Sequence, residues 1–287
     1  MLNYLTRAKQ YKKYPYNQIP KQKLEYLQNR TLEMFNEIVK VFNENKIEYM
    51  LCGGTLLGAV TTNKFIPWDD DIDICVFDRD YERARTLLIN NLNDTMIVQC
   101  KETEDNYYHN WIKVRDKKSK VFPNEIVYKN NGVWVDIYRI LETKKKKTNI
   151  LITKNHLNYL LERSKTNSIS KLELAKRIII NHLLIRYLIN YLYSVISKNN
   201  TKEYVIMSAS KIKINENWVF PLKKYFFMGK EYTSFNKANE YLVNHYGNNY
   251  NTIPKESDRR ISLKDIYIYI YKFKRIKLFP YSGACLL

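Results

Sequence analysis

The run Asp69-Asp70-Asp71-Ile72-Asp73-Ile74-Cys75-Val76 sets two acids, Asp71 and Asp73, at alternate positions of an apolar pattern. With a side-chain period of two, both carboxylates leave one face of a strand about 7 Å apart, and Ile72, Ile74 and Val76 leave the other. Oxygen ligands so placed suit a hard divalent cation, which takes two or three carboxylates and completes its shell with water and phosphate. Such an ion neutralises an attacked phosphate and activates an incoming hydroxyl, so the pattern points to phosphoryl transfer. A third acid, Asp136, stands in a second apolar run, Val133-Trp134-Val135-Asp136-Ile137, introduced by Gly132. A solvated acidic loop accounts for Asp69 and Asp70, but not for Asp73 inside an apolar alternation. Asp71, Asp73 and Asp136 are therefore the expected catalytic carboxylates and metal ligands, with Mg2+ or Mn2+ as the ion.

Phosphate ligands are sought next to these acids. Gly53-Gly54-Thr55 follows the apolar stretch Ile47 to Cys52 and precedes a helical stretch, Thr55 to Val60. Glycines there let backbone approach a phosphate, and the helix start offers N–H donors at its positive end. Lys113 and Arg115 alternate along another strand and can neutralise phosphate charge, arginine in bidentate fashion. His109, His156, His182 and His245 share no helical or strand spacing, so neither a histidine metal site nor a Ser-His-Asp triad is supported.

These residues need a mixed framework to hold them. Leu24, Leu27, Leu32, Phe35, Ile38, Val39 and Phe42 recur at helical spacing and predict a first helix. Strands are expected at Ile47–Cys52, from Asp71, and at Thr95–Cys100, Tyr108–Val114, Lys120–Tyr128 and Val133–Ile137, with a helix over Tyr81–Leu92. Four lysines at 144–147 mark a solvated turn, beyond which the composition turns helical to about residue 198. Ser234 is placed to cap a helix through Ala238, Tyr241 and Leu242 to Gly247. The expected fold class is α+β, a mixed sheet flanked by helices with a helical C-terminal elaboration. Residues 1–143 would form the catalytic core and 144–287 a mainly helical part packed on it, as one elaborated domain.

Composition bounds the partners. In 287 residues, 48 lysines and arginines face 29 acids, a formal charge of +19, alongside 25 tyrosines and 7 glycines. That surplus favours anionic partners: nucleic acid, a membrane face or phosphate-bearing substrates. No RNA-recognition or metal-finger signature accompanies it, so a specific nucleic-acid partner is not expected. Cys52, Cys75, Cys100 and Cys285 form no CxxC pair, and the basic N-terminus lacks the apolar run of a signal peptide, so a cytoplasmic protein is expected. The stretch Ile178 to Ile196 is apolar except for His182, Arg186, Asn190 and Ser194, spaced by four. It reads first as a packed helix and second as a peripheral contact with an anionic membrane at the inner face of the cell membrane.

The run Gly54-Thr55-Leu56-Leu57-Gly58-Ala59-Val60, followed after six residues by Pro67-Trp68-Asp69-Asp70-Asp71-Ile72-Asp73-Ile74, resembles the signature of the LicD family. Trp111-Ile112-Lys113-Val114-Arg115-Asp116 is similar to the family's K-x-R-D strand, and Gly132 to Ile137 to its strand ending in Asp-Ile. Tyr246-Gly247-Asn248-Asn249-Tyr250, with Pro254 and Arg259, resembles its closing segment. The resemblance implies a nucleotidyltransferase fold in which the glycine turn, the D-x-D strand and a third strand acid surround metal and nucleotide. It also implies a CDP-choline or other CDP-alcohol donor, a glycan acceptor that is often lipid-linked, and release of CMP. Two departures lie beside the site: Lys64 stands where the family carries Gly, and Tyr138-Arg139-Ile140-Leu141 replaces the usual Phe-Pro-Leu-Asp. A nucleotidyltransferase in the strict sense, adding a nucleotide from a triphosphate to RNA, protein or a small molecule, remains the alternative. A basic binding module with a relic site would be expected to have lost one of the three acids. A choline cargo would suit a cage of aromatic rings, for which Trp68, Trp111 and Trp134 are available.

Overall fold

The computed structural model describes residues 19–122, 128–166, 169–208 and 212–261, with strand segments at 14–15, 266–272 and 275–279. Cys285 and part of the expected Lys120–Tyr128 strand lie outside them. Helix α1 spans Lys21–Glu44 behind Pro20, and Leu24, Leu27, Thr31, Met34, Phe35, Ile38, Val41 and Phe42 form its buried stripe. Phe35 is fully enclosed, its ring 6.2 Å from Tyr49 and 4.8 Å from Tyr232. Phe35→Ala leaves a cavity at this joint between the two halves of the chain. It is expected to cost about 3–5 kcal/mol in a urea titration.

Among the described residues seven strands make the central sheet, five of which are paired around the site as follows. Strand β1 (Tyr49–Leu51) pairs antiparallel with β2 (Ile72–Phe77). Between them runs α2 (Gly53–Thr61), and α3 (Asp78–Asn91) follows β2 directly. Strands β3 (Met96–Gln99) and β4 (Ile112–Asp116) form an antiparallel pair, and β4 pairs antiparallel with β5 (Trp134–Lys144). Among the described strands the one parallel pairing joins β5 to β2, and gives the order β1-β2-β5-β4-β3. Cys75 and Phe77 are buried as well as Ile72, Ile74 and Val76, because β2 is covered on both faces. The mixed sheet with flanking helices is the α+β fold expected from the sequence.

Beyond Lys144 come α4 (Lys145–Lys165), α5 (Lys171–Ile180) and α6 (Leu183–Ile196). Between residues 200 and 235 the sequence names no element, yet four strands lie there. β6 (Lys202–Ile206) pairs with the far half of β5, and β7 (Ile212–Asn215) pairs with β6, completing the sheet. β8 (Lys223–Phe227) and β9 (Lys230–Ser234) form a hairpin packed on β1. Helix α7 covers Ala238–Tyr246.

Three local expectations are corrected. Ser234 caps no helix: α7 starts after Lys237, and the Ser234 hydroxyl donates to the Leu51 carbonyl at 2.6 Å, tying the hairpin to β1. The strand expected at Tyr108–Val114 begins at Ile112, because Tyr107 and Tyr108 pack in an aromatic cluster with Tyr128. The Ile178 to Ile196 stretch is not one packed helix. It breaks at Asn181–His182, where His182 adopts φ 47°, and Leu183 is the only buried residue of α6.

Candidate active site

The sheet register assembles the site. Asp73 on β2 is the cross-strand partner of Asp136 on β5, and Asp136 is in turn the partner of Lys113 on β4. Neighbouring strands lie about 4.8 Å apart, so one row across three strands carries two acids and a cation. Asp71, just ahead of β2, shares the face of Asp73. Ligand oxygens of Asp71, Asp73 and Asp136 all lie within 4.8 Å of one another. Asp69, Asp70 and Asp71 meet the same distance test as a second acidic group, in the loop leading to β2.

The three expected carboxylates thus converge, but their surroundings differ. Asp136 is buried and accepts from four side chains. Lys113 Nζ donates to its Oδ1 at 2.6 Å and to its Oδ2 at 2.8 Å. The Trp111 indole N–H reaches Oδ1 at 3.0 Å and that of Trp134 reaches Oδ2 at 3.2 Å. The Tyr138 hydroxyl lies 3.1 Å from Asp73 Oδ1 and 3.4 Å from Asp136 Oδ2, spanning the two acids. Burial, reinforced by Asp73, Asp70, Asp69 and Asp136, pushes the Asp71 carboxyl well above the usual carboxylate range. A divalent ion would relieve this crowding, and the donor set of carboxylates suits Mg2+ or Mn2+. An ion at this site would compete with the proton for Asp71, so cation affinity is expected to strengthen as pH rises, which Mn2+ titrations at two pH values check.

The glycine turn fits around the acids. Gly53 has φ +55°, and a Cβ there would stand 2.3 Å from Asp73 Oδ2, while one on Gly54 would stand 2.5 Å from Asp69 Oδ2. The turn therefore hugs the carboxylates, with side-chain space removed at both positions. Gly53 N–H donates to the Tyr241 hydroxyl of α7 at 3.0 Å, and the Thr55 hydroxyl accepts from Asp73 N–H at 2.8 Å. Thr55 thereby fixes the backbone that carries Asp73. Gly53→Ala places a left-handed alanine, which costs about 1–2 kcal/mol, and pushes the Asp73 carboxylate aside. Activity is expected to fall far more than the melting temperature, which parallel rate and melting measurements check.

Lys113 and Arg115 share a strand face but are engaged differently. Lys113 lies between indoles, 4.8 Å from the Trp134 ring and 5.8 Å from Trp111. The cation that these two tryptophans enclose is therefore the protein's own ammonium. Burial, with Arg115 adding to it, lowers the Lys113 pKa against the opposing pull of Asp136. Arg115 is buried one residue pair further along, donating to Gln99 Oε1 and to the Gly132 carbonyl at 2.7 Å. Arg259 stacks on Trp68, its guanidinium carbon 4.8 Å from the ring, beside the acidic loop. From α1, Gln28 Nε2 donates to the Asp69 carbonyl at 2.9 Å and holds that loop in place. His109 is buried against the Tyr107, Tyr108 and Trp111 rings, and burial holds its pKa well below the usual histidine value.

Sequence reasoning missed Trp111 and Trp134 as donors to Asp136, Tyr138 as a bridge, and Tyr241 as a partner of the turn. The first three carry a signal: Trp134-x-Asp136-x-Tyr138 and Trp111-x-Lys113 alternate with the period that puts them on the site face. Tyr241 carries none, since only the fold brings it to Gly53.

Comparison with known proteins agrees with this geometry. The chain is 26% identical over 250 residues to "Lipopolysaccharide cholinephosphotransferase LicD" of Haemophilus influenzae, an alignment covering 78% of this chain and 89% of that protein. Residues 46–179, which hold the glycine turn and all three acids, match the family model "LicD/FKTN/FKRP, nucleotidyltransferase domain". By that domain match and by the similarity over most of its length, the chain resembles the LicD family.

Proposed function

We infer that this chain is a transferase that moves phosphocholine, or another phosphoalcohol, from a CDP-activated donor to a hydroxyl of a cell-surface glycan, with release of CMP. The observation that carries the reading is the convergence of Asp71, Asp73 and Asp136 beside a glycine turn within a LicD-type domain. The cholinephosphotransferase relative supports phosphocholine as the cargo and a lipopolysaccharide as the kind of acceptor.

Asp71 and Asp73, with Asp136 completing the set, would hold a Mg2+ or Mn2+ ion, which neutralises phosphate charge and makes an incoming hydroxyl more acidic. The acceptor oxygen bonds to the phosphorus that bears the alcohol, the bond to the CMP oxygen breaks in line, and the hydroxyl proton passes to a site carboxylate. Gly53 and Gly54 let the turn close on the Asp73 and Asp69 carboxylates, which a side chain at either position would strike, so the start of α2 lies beside the acids that a donor phosphate would approach. Lys113 balances the charge of Asp136, and Thr55 and Tyr138 keep Asp73 in place.

The test is the nucleotide that leaves. Protein with Mg2+ or Mn2+ is incubated with CDP-choline, CDP-ribitol, CDP-glycerol, CTP or ATP and a glycan acceptor, and products are followed by mass. CMP from one CDP-alcohol is the expected result and names the cargo. Pyrophosphate from a triphosphate would instead make the chain a nucleotidyltransferase in the strict sense.

A further inference from the structure

Helix α6 has its polarity turned inside out. At about 100° per residue, Leu184, Ile185, Leu188, Ile189, Leu192 and Ile196 fall on one arc of the helix. That arc faces away from the protein: Leu188 is 57% exposed and Ile196 is 76% exposed. On the opposite side Asn190 and Ser194 are half-buried, and Asn190 Nδ2 donates to Thr153 Oγ1 of α4 at 3.0 Å. A helix serving only a water-soluble core would turn the opposite way, because each fully buried Leu or Ile is worth about 1.5–3 kcal/mol. Tyr187 and Tyr191 border the apolar arc on one side and Tyr193 on the other, and all three are exposed. An amphipathic ring at the edge of an apolar strip suits the depth of lipid headgroups.

Charge supplies the second half of the pattern. Residues 144–198 carry twelve lysines and arginines against two glutamates, more than half of the chain's formal surplus of +19. Within α6 the only charged residue is Arg186; most of the other cations stand on α4 and α5, which pack against it, and Lys146 N–H donates to the Asn199 carbonyl just past its end. Lys145 and Lys147 at the start of α4, and Lys171 and Lys176 on α5, are exposed. Juxtaposed cations contribute about 1 kcal/mol each near an anionic bilayer. No single helix among the described residues is long and apolar enough to cross a membrane, and α5 and α6 are bent by 49° at their break. By length and composition the bent pair together could cross, but the fourteen residues of α6 span about 21 Å, short of the roughly 30 Å of a hydrocarbon core, and its one-sided apolar arc fits an interfacial position.

We propose that α5 and α6 form a monotopic docking surface, the apolar arc of α6 resting in the interface of an anionic lipid bilayer with the surrounding lysines against its headgroups. This holds the chain at a membrane face whether or not the transferase reading is right.

Flotation of the full chain with vesicles tests it directly. Wild-type protein is expected to float with phosphatidylglycerol-containing vesicles and to bind pure phosphatidylcholine at least about tenfold more weakly. Ile185→Glu/Leu188→Glu/Leu192→Glu should lower binding by about tenfold or more with unchanged circular dichroism and melting, since these side chains stand in solvent. A dye on Leu188→Cys, in a Cys285→Ser background, should shift to the blue on the anionic vesicles and reports on the surface even if the triple variant folds poorly. Wild-type flotation retained in the triple variant, or an unshifted dye, overturns the proposal. So does a wild type that light scattering shows to be a dimer, the triple variant a monomer, with neither floating. Flotation that is equal on both lipids overturns the anionic requirement.

Discussion

Asp73→Ala is expected to abolish CMP release, with a fall in rate on the order of 10³-fold or more, beyond the 10–100-fold usual when only an outer partner of a metal ligand is lost. Asp73 is where the elements of the site meet: its carboxylate lies under the glycine turn, its Oδ1 within reach of the Tyr138 hydroxyl, its backbone N–H on Thr55. Removing the carboxylate takes away one of the three candidate ligands whose oxygens lie within 4.8 Å of one another. The fold is expected to survive, because the substitution relieves acidic crowding around Asp71 and the other side chains of β2 remain packed. A rate near that of the wild type, in a variant with unchanged melting, would remove Asp73 from the chemistry.

Lys113→Ala should be the most destabilising single change at the site. Both partners of the Lys113–Asp136 pair are buried, with 7% and 5% of their side-chain surface exposed. Truncating the lysine leaves a carboxylate among two indoles and a phenol without its counter-charge, a loss of about 3–5 kcal/mol by the general behaviour of buried pairs. Melting should fall by roughly 6–20 °C for a chain of this size. Because the cost is that of an uncompensated charge, Lys113→Met combined with Asp136→Asn is expected to recover part of it, which a double-mutant cycle in urea reads as coupling. A Lys113→Ala variant within 1 kcal/mol of wild type, a margin below about one tenfold step in equilibrium, would mean that Asp136 is satisfied without the lysine.

The acids were legible because a carboxylate within an apolar alternation has to take a face, and Asp71, Asp73 and Asp136 all sit in such patterns. Their neighbours were less so. Alternation puts Trp134, Asp136 and Tyr138 on one face of β5, but only the register of β5 against β2 and β4 tells that this face meets Asp73 and Lys113. Such pairings join residues some 25 to 65 positions apart, which local pattern does not encode. Lys113 and Arg115 were read as phosphate ligands because cations on one strand face suit an anion. In the structure they are committed to Asp136 and to Gln99 and Gly132, commitments that depend on the same register.

Elsewhere the misses have local causes. Strands β6 to β9 are four or five residues long, each with at least one lysine, and too short to separate a strand from a loop. The break between α5 and α6 falls at Asn181–His182 without glycine or proline. The amphipathic pattern of α6 was visible, but a pattern states that a helix has two faces, not which one meets the protein. Here the apolar arc faces solvent, where a packed helix would have buried it.

On the proposed reading, Asp71, Asp73 and Asp136 form a divalent-cation site that works with a CDP-linked donor. Electron paramagnetic resonance of Mn2+, titrated with wild type and Asp73→Ala in the presence and absence of CDP-choline, addresses it most directly. Wild type is expected to take up Mn2+ more tightly with the donor present, and Asp73→Ala to lose that uptake. Failure of the wild type to bind Mn2+ with any CDP-alcohol, or equal binding by Asp73→Ala, would contradict the account.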